Sequence, residues 1–204
     1  MTKLRRLLLV LWLAAAFVTY NVAERYASRG IDASLLQATR SLARQVNALA
    51  DEVMQTALTR NPEIATFIGL PGMRHDRLTD NSLEAQARYQ AEDDAFAARV
   101  LAIDPEPLIG RSEYVTLGFL REAAQSGAQG RVCRNELWAG VNQMFGWQVS
   151  LPRLAQVQPV GTPALRAQAL ARWGRLPRYV DNEIANLRRG LAAGKAASRK
   201  LSTL

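Results

Sequence analysis

Histidine, cysteine and clustered carboxylates build many catalytic and metal sites, and this chain offers few of them. His75 is the only histidine and Cys133 the only cysteine. A Ser-His-Asp or Cys-His arrangement would depend on His75, which lies in a Gly- and Pro-rich stretch. We therefore expect His75 to be solvated rather than to act as a base. Cys133 has no partner for an internal disulfide, and we expect it to be a small buried side chain.

A run of three carboxylates, Glu92, Asp93 and Asp94, is the other candidate for chemistry. Successive residues of a helix point about 100° apart, so these groups do not converge as an acid/base pair. A zinc site needs about three or four ligands, and one histidine and one cysteine form no recognisable ligand pattern. The sequence also contains no Gly-rich phosphate loop. The pattern therefore predicts no catalytic residue, no metal ligand and no cofactor, and it favours a solvated acidic face.

The 204-residue chain carries a net charge of +8 that is concentrated towards its C-terminus. Residues 131–204 hold 12 basic and 3 acidic side chains. These basic residues form no run longer than two and are not interleaved with aromatic residues, so we expect no nucleic-acid partner. Hydrophobic residues make up 49% of the chain, which is enough for a sizeable core. We expect Trp138, Trp147 and Trp173 to pack in that core.

Residues 1–27 are predicted to form a signal peptide or a signal anchor with its flank. Three basic side chains precede the apolar segment Leu7–Ala23. They are Lys3, Arg5 and Arg6. Either the chain is cleaved after Ala16, or residues 4–23 stay in the inner membrane, which is the outcome we prefer. Because the basic flank stays inside, the rest is expected at the inner membrane facing the periplasm, or in the periplasm after cleavage.

Apolar spacing predicts an all-α, bundle-like domain over residues 28–194, followed by a basic polar tail at residues 195–204. Long Pro- and Gly-rich loops separate its helices, as at residues 60–79. Among the expected core positions are Val115 and Phe119. The strongest helices are predicted near residues 34–58, 82–103, 112–126 and 175–193.

Local residue types predict where these helices begin. Asp32 or Ser34 is the expected N-cap of the first helix, because a side-chain oxygen can accept from the free N–H groups of the first turn. One of residues 80–82 should cap the second helix and Ser112 the third. Pro152 is expected to precede a further short helix.

The last helix has the clearest amphipathic pattern in the chain. Its apolar stripe recurs at three- and four-residue steps across residues 176–191. The stripe consists of Leu176, Val180, Ile184, Leu187 and Leu191. Gly190 and Gly194 lie near the helix end, where a left-handed cap is easiest. Either residues 34–173 close over the stripe, or it stays exposed and supports self-association or capture by a partner.

Several short segments, spread over most of residues 60–194, resemble a known family. The segments are Arg60-Asn61-Pro62-Glu63-Ile64-Ala65-Thr66 with Gly69; Leu78-Thr79-Asp80-Asn81-Ser82; Cys133 with Leu137-Trp138; Asn142-Gln143-Met144; Gly146-Trp147; Arg172-Trp173; Leu176-Pro177-Arg178-Tyr179; and Asn186-Leu187-Arg188-Arg189-Gly190-Leu191 with Gly194. Their order and spacing are similar to the N-terminal part of the bacterial domain of unknown function 885 family.

This resemblance implies a largely helical, often exported architecture similar to zinc-dependent peptidases. The family's metal motif, a His-Glu pair followed by Gly-His, lies far downstream of these segments. Because the chain ends before those positions, no catalytic residue can be carried over. We expect the N-terminal helical portion of a peptidase-like protein, inactive alone and completed by a missing C-terminal half. The alternative is a non-catalytic, membrane-tethered helical interaction module.

Overall fold

The computed structural model describes the backbone of residues 2–195 and the side chains of residues 18–25 and 32–195. This part of the chain folds into seven α-helices and three short 3-10 turns and contains no strand, so the all-α prediction is confirmed. The predicted polar tail lies outside the described residues from position 196 onward. The helices are α1 Thr2–Arg60, α2 Pro62–Phe67, α3 Leu83–Leu101, α4 Ser112–Gly130, α5 Trp147–Val157, α6 Pro163–Trp173 and α7 Leu176–Ala192. The 3-10 turns are Glu106–Leu108, Arg131–Cys133 and Asn135–Leu137.

Helix α1 is much longer than the predicted helix 34–58, which forms its C-terminal part. The predicted N-cap at Asp32 or Ser34 is wrong, because the helix continues through both residues. Gly30 is the only glycine or proline between Thr2 and Arg60, and one glycine costs a helix only about 1 kcal/mol. Within the part of the chain that the structure describes, we find no helix long and apolar enough to span a bilayer.

The core lies where α1 packs against α3 and α4. Its fully buried side chains from α1 start at Ala43, whereas Leu35, nearer the N-terminus, is 60% exposed. On α4, Leu117 and Leu120 face the core, and the expected core residues Val115 and Phe119 are exposed instead. The buried core cluster comprises Ala43, Val46, Leu49, Val100, Ile103, Leu108, Leu117 and Leu120.

Ser82 is the N-cap of α3, and its hydroxyl oxygen accepts from the Ala85 N–H at 3.2 Å. Ser112 is not a cap, because α4 begins at that residue and Arg111, which precedes it, provides no side-chain cap. Pro152 lies inside α5 rather than before it. The first turn of α5 is already closed by Gly146, whose carbonyl accepts from Ser150 N–H at 3.0 Å.

The stretch predicted as a loop at residues 60–79 contains the short helix α2, which has Pro62 in its first turn. A proline there costs little, since its missing N–H would have no partner within the helix. At the other end of the chain, Gly194 adopts φ +68° after α7, as a C-terminal glycine should. Gly190 is buried inside α7, where a Cβ would lie 2.0 Å from the Leu137 carbonyl oxygen. Gly190 therefore serves close packing rather than capping.

Candidate functional site

The largest fully buried side chain of the described residues is Arg172, on α6. Its Nη1 donates to Thr66 Oγ1 at 3.0 Å and to Gln158 Oε1 at 2.8 Å, and its Nε donates to the Arg77 carbonyl at 2.9 Å. Its Nη2 has no hydrogen-bond partner among the described residues. Arg172 thus joins α2, α5 and the segment after α2 through donors that converge on neutral oxygens.

His75 belongs to the same buried network. It is only 8% exposed, so the prediction of a solvated histidine is wrong. The ring Nδ1 of His75 lies 2.8 Å from Thr66 Oγ1. The backbone N–H of His75 donates to Gln168 Oε1 at 2.8 Å, and its backbone carbonyl accepts from Gln158 Nε2. The Gly- and Pro-rich stretch therefore runs inward at His75, where Gln158, directly after α5, and Gln168 of α6 satisfy its backbone. Burial, together with the positive charge of Arg172, lowers the pKa of His75.

A second polar cluster forms around Asn81, at the start of α3. Asn81 Nδ2 donates to Glu183 Oε1 at 2.7 Å and to the Tyr179 carbonyl at 2.9 Å. Asn182 donates to Asn81 Oδ1 at 3.0 Å, and Asn186 donates to the Asn81 carbonyl at 2.8 Å. All four partners lie on α7, so the polar face of this helix is turned towards the body of the protein.

The apolar stripe of α7 lies beside this buried polar face, because Glu183 follows Val180 by three residues and precedes Leu187 by four. Ile184 is 41% exposed and Leu191 is 65% exposed. The other three stripe residues are half-buried, and they are Leu176, Val180 and Leu187. The rest of the described chain therefore closes over the stripe only in part.

A cleft of about 510 Å³ lies between the C-terminal end of α1, the first half of α3 and residues 77–80. Four arginines line it, together with two carboxylates. The arginines are Arg60, Arg77, Arg88 and Arg175, and the carboxylates are Asp80 and Glu92. Its volume falls in the range of small-molecule sites. None of these side chains was singled out from the sequence as a site residue except Glu92, which belongs to the acidic run.

The acidic run on α3 is exposed, as predicted, and it also binds arginines. Glu92 and Asp93 pair with Arg60 at 2.7 and 2.6 Å, and Asp94 pairs with Arg131 at 2.7 Å. Glu92 and Asp93 converge on Arg60 of α1, whereas Asp94 turns to Arg131 in the 3-10 turn after α4, so the three carboxylates do not share one point. Their role is therefore to hold the end of α1 and the turn after α4 against α3.

Cys133 is exposed in the turn that follows α4, so the prediction of a buried cysteine is wrong. Its carbonyl accepts from Trp138 Nε1 at 2.9 Å, which keeps the chain near the surface. Trp138, Trp147 and Trp173 are only half-buried and lie at the margin of the fold rather than in its core. Among the described residues, no group of three or more His, Cys, Asp and Glu is placed to hold a metal ion.

The buried polar residues of α6 and α7 were missed by the sequence analysis. A second periodic face on α7 could have revealed some of them, since Glu183, Asn186 and Gly190 recur at three- and four-residue steps beside the stripe. Nothing in the sequence pattern distinguishes Arg172 from the exposed arginines around it.

Comparison with known proteins divides the chain near α2. Residues 8–67 match the family model of the two-component sensor kinase N-terminal region, which points to a membrane-associated protein. No curated protein matches the chain. Residues 62–203 match the family model described as bacterial protein of unknown function, DUF885. Since this second match spans well over half of the sequence, the chain belongs to the DUF885 family of bacterial proteins.

Proposed function

We propose that this DUF885 member is the helical, non-catalytic scaffold of a zinc-peptidase-like protein, held at the inner membrane on its periplasmic side. In this role α7 supplies the surface on which a helix of the metal-bearing portion packs. The observation that carries the proposal is the orientation of α7, with a polar face buried and the adjoining apolar stripe only partly covered, at Ile184 and Leu191 least of all.

The hydrogen bonds around Asn81 hold α7 in this orientation. Turning the stripe inward would break four of them and leave Asn81, Glu183 and Asn186 without partners. Each buried polar group left unsatisfied costs about 1–3 kcal/mol. Gly140 also lies against Glu183, so that a Cβ at residue 140 would be 2.0 Å from Glu183 Oε2. The stripe is therefore a stable outer surface rather than a misplaced core.

The stripe has the dimensions and chemistry of a helix-binding surface. From Leu176 to Leu191 it spans about four turns, or roughly 22 Å. Burying one large apolar side chain contributes about 1.5–3 kcal/mol, so covering several of them is a substantial driving force. Arg188 is exposed beside the stripe and favours a partner helix with acidic residues along its edge.

Two further observations support the partner and the membrane attachment proposed for this scaffold. The resemblance of residues 60–194 to a peptidase-like family supports a metal-bearing portion as the partner. The basic side chains before Leu7–Ala23 and the sensor kinase N-terminal match over residues 8–67 support attachment to the membrane from the periplasmic side.

Substitution of Ile184 tests the proposal. The partner to add is the helical portion carrying the His-Glu and Gly-His motif of a full-length DUF885 protein from the same bacterium. We expect the wild-type chain to bind it in a 1:1 complex by analytical ultracentrifugation, and Ile184→Asp to abolish binding, because a carboxylate would be buried in an apolar interface. The melting temperature of Ile184→Asp should stay close to that of the wild type, since Ile184 contacts solvent in the isolated chain.

Ala185→Asp is the matched control, because it adds the same charge at the neighbouring, exposed position off the stripe. It should bind the partner like the wild type. Equal binding by Ile184→Asp, or no binding by the wild-type chain, contradicts the proposal. A wild-type dimer that Ile184→Asp dissociates would instead identify a second copy of this chain as the occupant of the stripe.

A further inference from the structure

The arginine-lined cleft is separate from the apolar stripe and plays no part in the proposed docking. A smaller hollow of about 90 Å³ adjoins it, shares Asp80 and Arg175 with it, and adds Arg178 to the lining. Together the two hollows present five arginines and two carboxylates. The positive charges therefore exceed the negative charges that line them.

The positive charge is unevenly compensated, because Arg60 is paired with Glu92 and Asp93 whereas Arg175 and Arg178 have no ion pair with the described residues. Glu92 Oε2 forms an ion pair with Arg60 Nη2 at 2.7 Å, whereas Glu92 Oε1 lies 4.0 Å from Arg88 Nε. Asp80 accepts the Ser82 N–H at 3.1 Å. The guanidinium of Arg175 makes no hydrogen bond or ion pair with the described residues, so its donors are available to a ligand.

The guanidinium of Arg77 also has donors available to a ligand. The nearest carboxylate oxygen to its guanidinium belongs to Asp76, which lies 3.8 Å from Nε, beyond hydrogen-bond distance. Asp76 instead accepts hydrogen bonds from Arg74, from Nη2 at 2.5 Å and from Nε at 3.1 Å. Arg77 therefore keeps donors free at the cleft.

The walls of the cleft are held in place before any ligand binds. The Arg77 carbonyl accepts from the buried Arg172, and Thr79 donates to Glu63 through both its N–H and its hydroxyl at 2.7 Å. On the opposite side, Arg60 lies 4.7 Å over the Tyr89 ring and is only 16% exposed. A preformed cleft loses little conformational entropy when a ligand binds.

We propose that this cleft binds a metabolite-sized oxyanion, a carboxylate or a phosphate group, with Arg77 and Arg175 as its principal contacts. The planar guanidinium fork matches both groups in a bidentate arrangement. Arg88 adds positive charge at the edge of the site, and a volume of about 510 Å³ leaves room for more than the anionic group alone. The neutral side chains Gln55 and Thr59 line the remaining space and can hydrogen-bond the uncharged part of such a ligand.

Calorimetric titration of the full chain, purified in a mild non-ionic detergent, tests this site. The probes are inorganic phosphate and succinate, each at constant ionic strength with chloride as the background anion. We expect at least one of them to bind at one site per chain. Arg175→Gln and Arg77→Gln should each weaken that binding by about tenfold or more, as for loss of a charge-assisted hydrogen bond.

Arg153→Gln is the matched control, because Arg153 is an exposed arginine of α5 outside both hollows. It should leave the affinity unchanged, and thermal unfolding without ligand verifies that all three variants are folded. Preference for succinate or for phosphate shows which anion geometry the cleft accepts. The proposal is overturned if neither anion binds, or if Arg153→Gln weakens binding as much as Arg175→Gln, which would indicate a diffuse charge effect.

Discussion

Arg172 illustrates how this protein tolerates a charge in its interior. Removing a cation from water costs several kcal/mol unless hydrogen bonds replace its hydration. Here three donors of the guanidinium meet oxygens of Thr66, Gln158 and Arg77. Desolvation lowers the pKa of Arg172, and the carboxylates of Glu63 and Asp76 act in the opposite direction. The residue joins α6 to Thr66 of α2, to Arg77 in the segment after α2 and to Gln158 directly after α5.

His75, beside this charge, makes stability depend on pH. Its pKa is lowered in the folded state from an ordinary value of 6.5, first by burial and then by Arg172. Just below pH 6.5 the unfolded chain binds a proton that the folded chain does not bind. The free energy of unfolding is therefore expected to fall as the pH drops below about 6.5.

Urea unfolding at pH values from about 7.5 down to about 5.5 measures this dependence. His75→Gln is the control, because it removes the only histidine of the chain. The variant should lose most of the pH dependence in this interval. A wild-type chain that becomes more stable as the pH falls, or a variant with an unchanged slope, would rule out His75 as the cause.

At the scale of elements, α7 is packed contrary to the usual amphipathic rule. Its apolar stripe would ordinarily face the core. Instead Glu183, Asn186 and Gly190 are its buried residues, and they meet Asn81 and the 3-10 turn Asn135–Leu137. The absence of a Cβ at Gly190 is what allows the helix to approach that turn closely.

Gly190→Ala is therefore expected to destabilise the protein. The added Cβ would meet the Leu137 carbonyl oxygen at 2.0 Å, and relieving that overlap should cost about 1–3 kcal/mol. The matched control is Gly118→Ala in α4, where a Cβ has nothing within 4 Å. The control should be neutral or stabilising by up to about 1 kcal/mol, since alanine favours helix. Thermal unfolding compares the two, and equal melting temperatures would contradict close packing at Gly190.

At the scale of the whole molecule, the chain joins two regions of different character. Along α1, the described side chains before Leu42 are mostly exposed, and core contacts start at Leu42 and Ala43. From α2 onward the chain matches the DUF885 family, and it carries the polar clusters, the cleft and the stripe. This division is compatible with the proposed arrangement of a membrane-proximal helix followed by a folded portion.

Topology can be tested with a reporter that is active only after export, such as alkaline phosphatase fused after Leu204. We expect an active fusion, because the basic flank before Leu7 should stay inside the cytoplasm. A matched fusion that lacks residues 2–23 should be inactive. Activity confined to a cytoplasmic reporter at the same position would overturn the periplasmic placement.

The positions of many helices depend on residues that are close together in the sequence, and sequence patterns predicted them. Three- and four-residue apolar spacing located α3, α4 and α7 to within a few residues, and Ser82 was one of the three residues offered as the N-cap of α3. The short motifs between Arg60 and Gly194 were sufficient to identify the family. These features depend on residues a few positions apart, whose interactions act within one turn or one helix.

The orientation of these helices and the burial of their polar residues were decided only by the tertiary structure. Asn81 and Glu183 are 102 residues apart, and Arg172 and Thr66 are 106 residues apart. A polar side chain is buried only when distant partners satisfy its hydrogen bonds, and the local sequence does not specify those partners. The same reason explains why His75 was expected in solvent and why the α7 stripe was ambiguous. The sequence determined which segments are helices, and long-range hydrogen bonds determined which face of α7 lies inside.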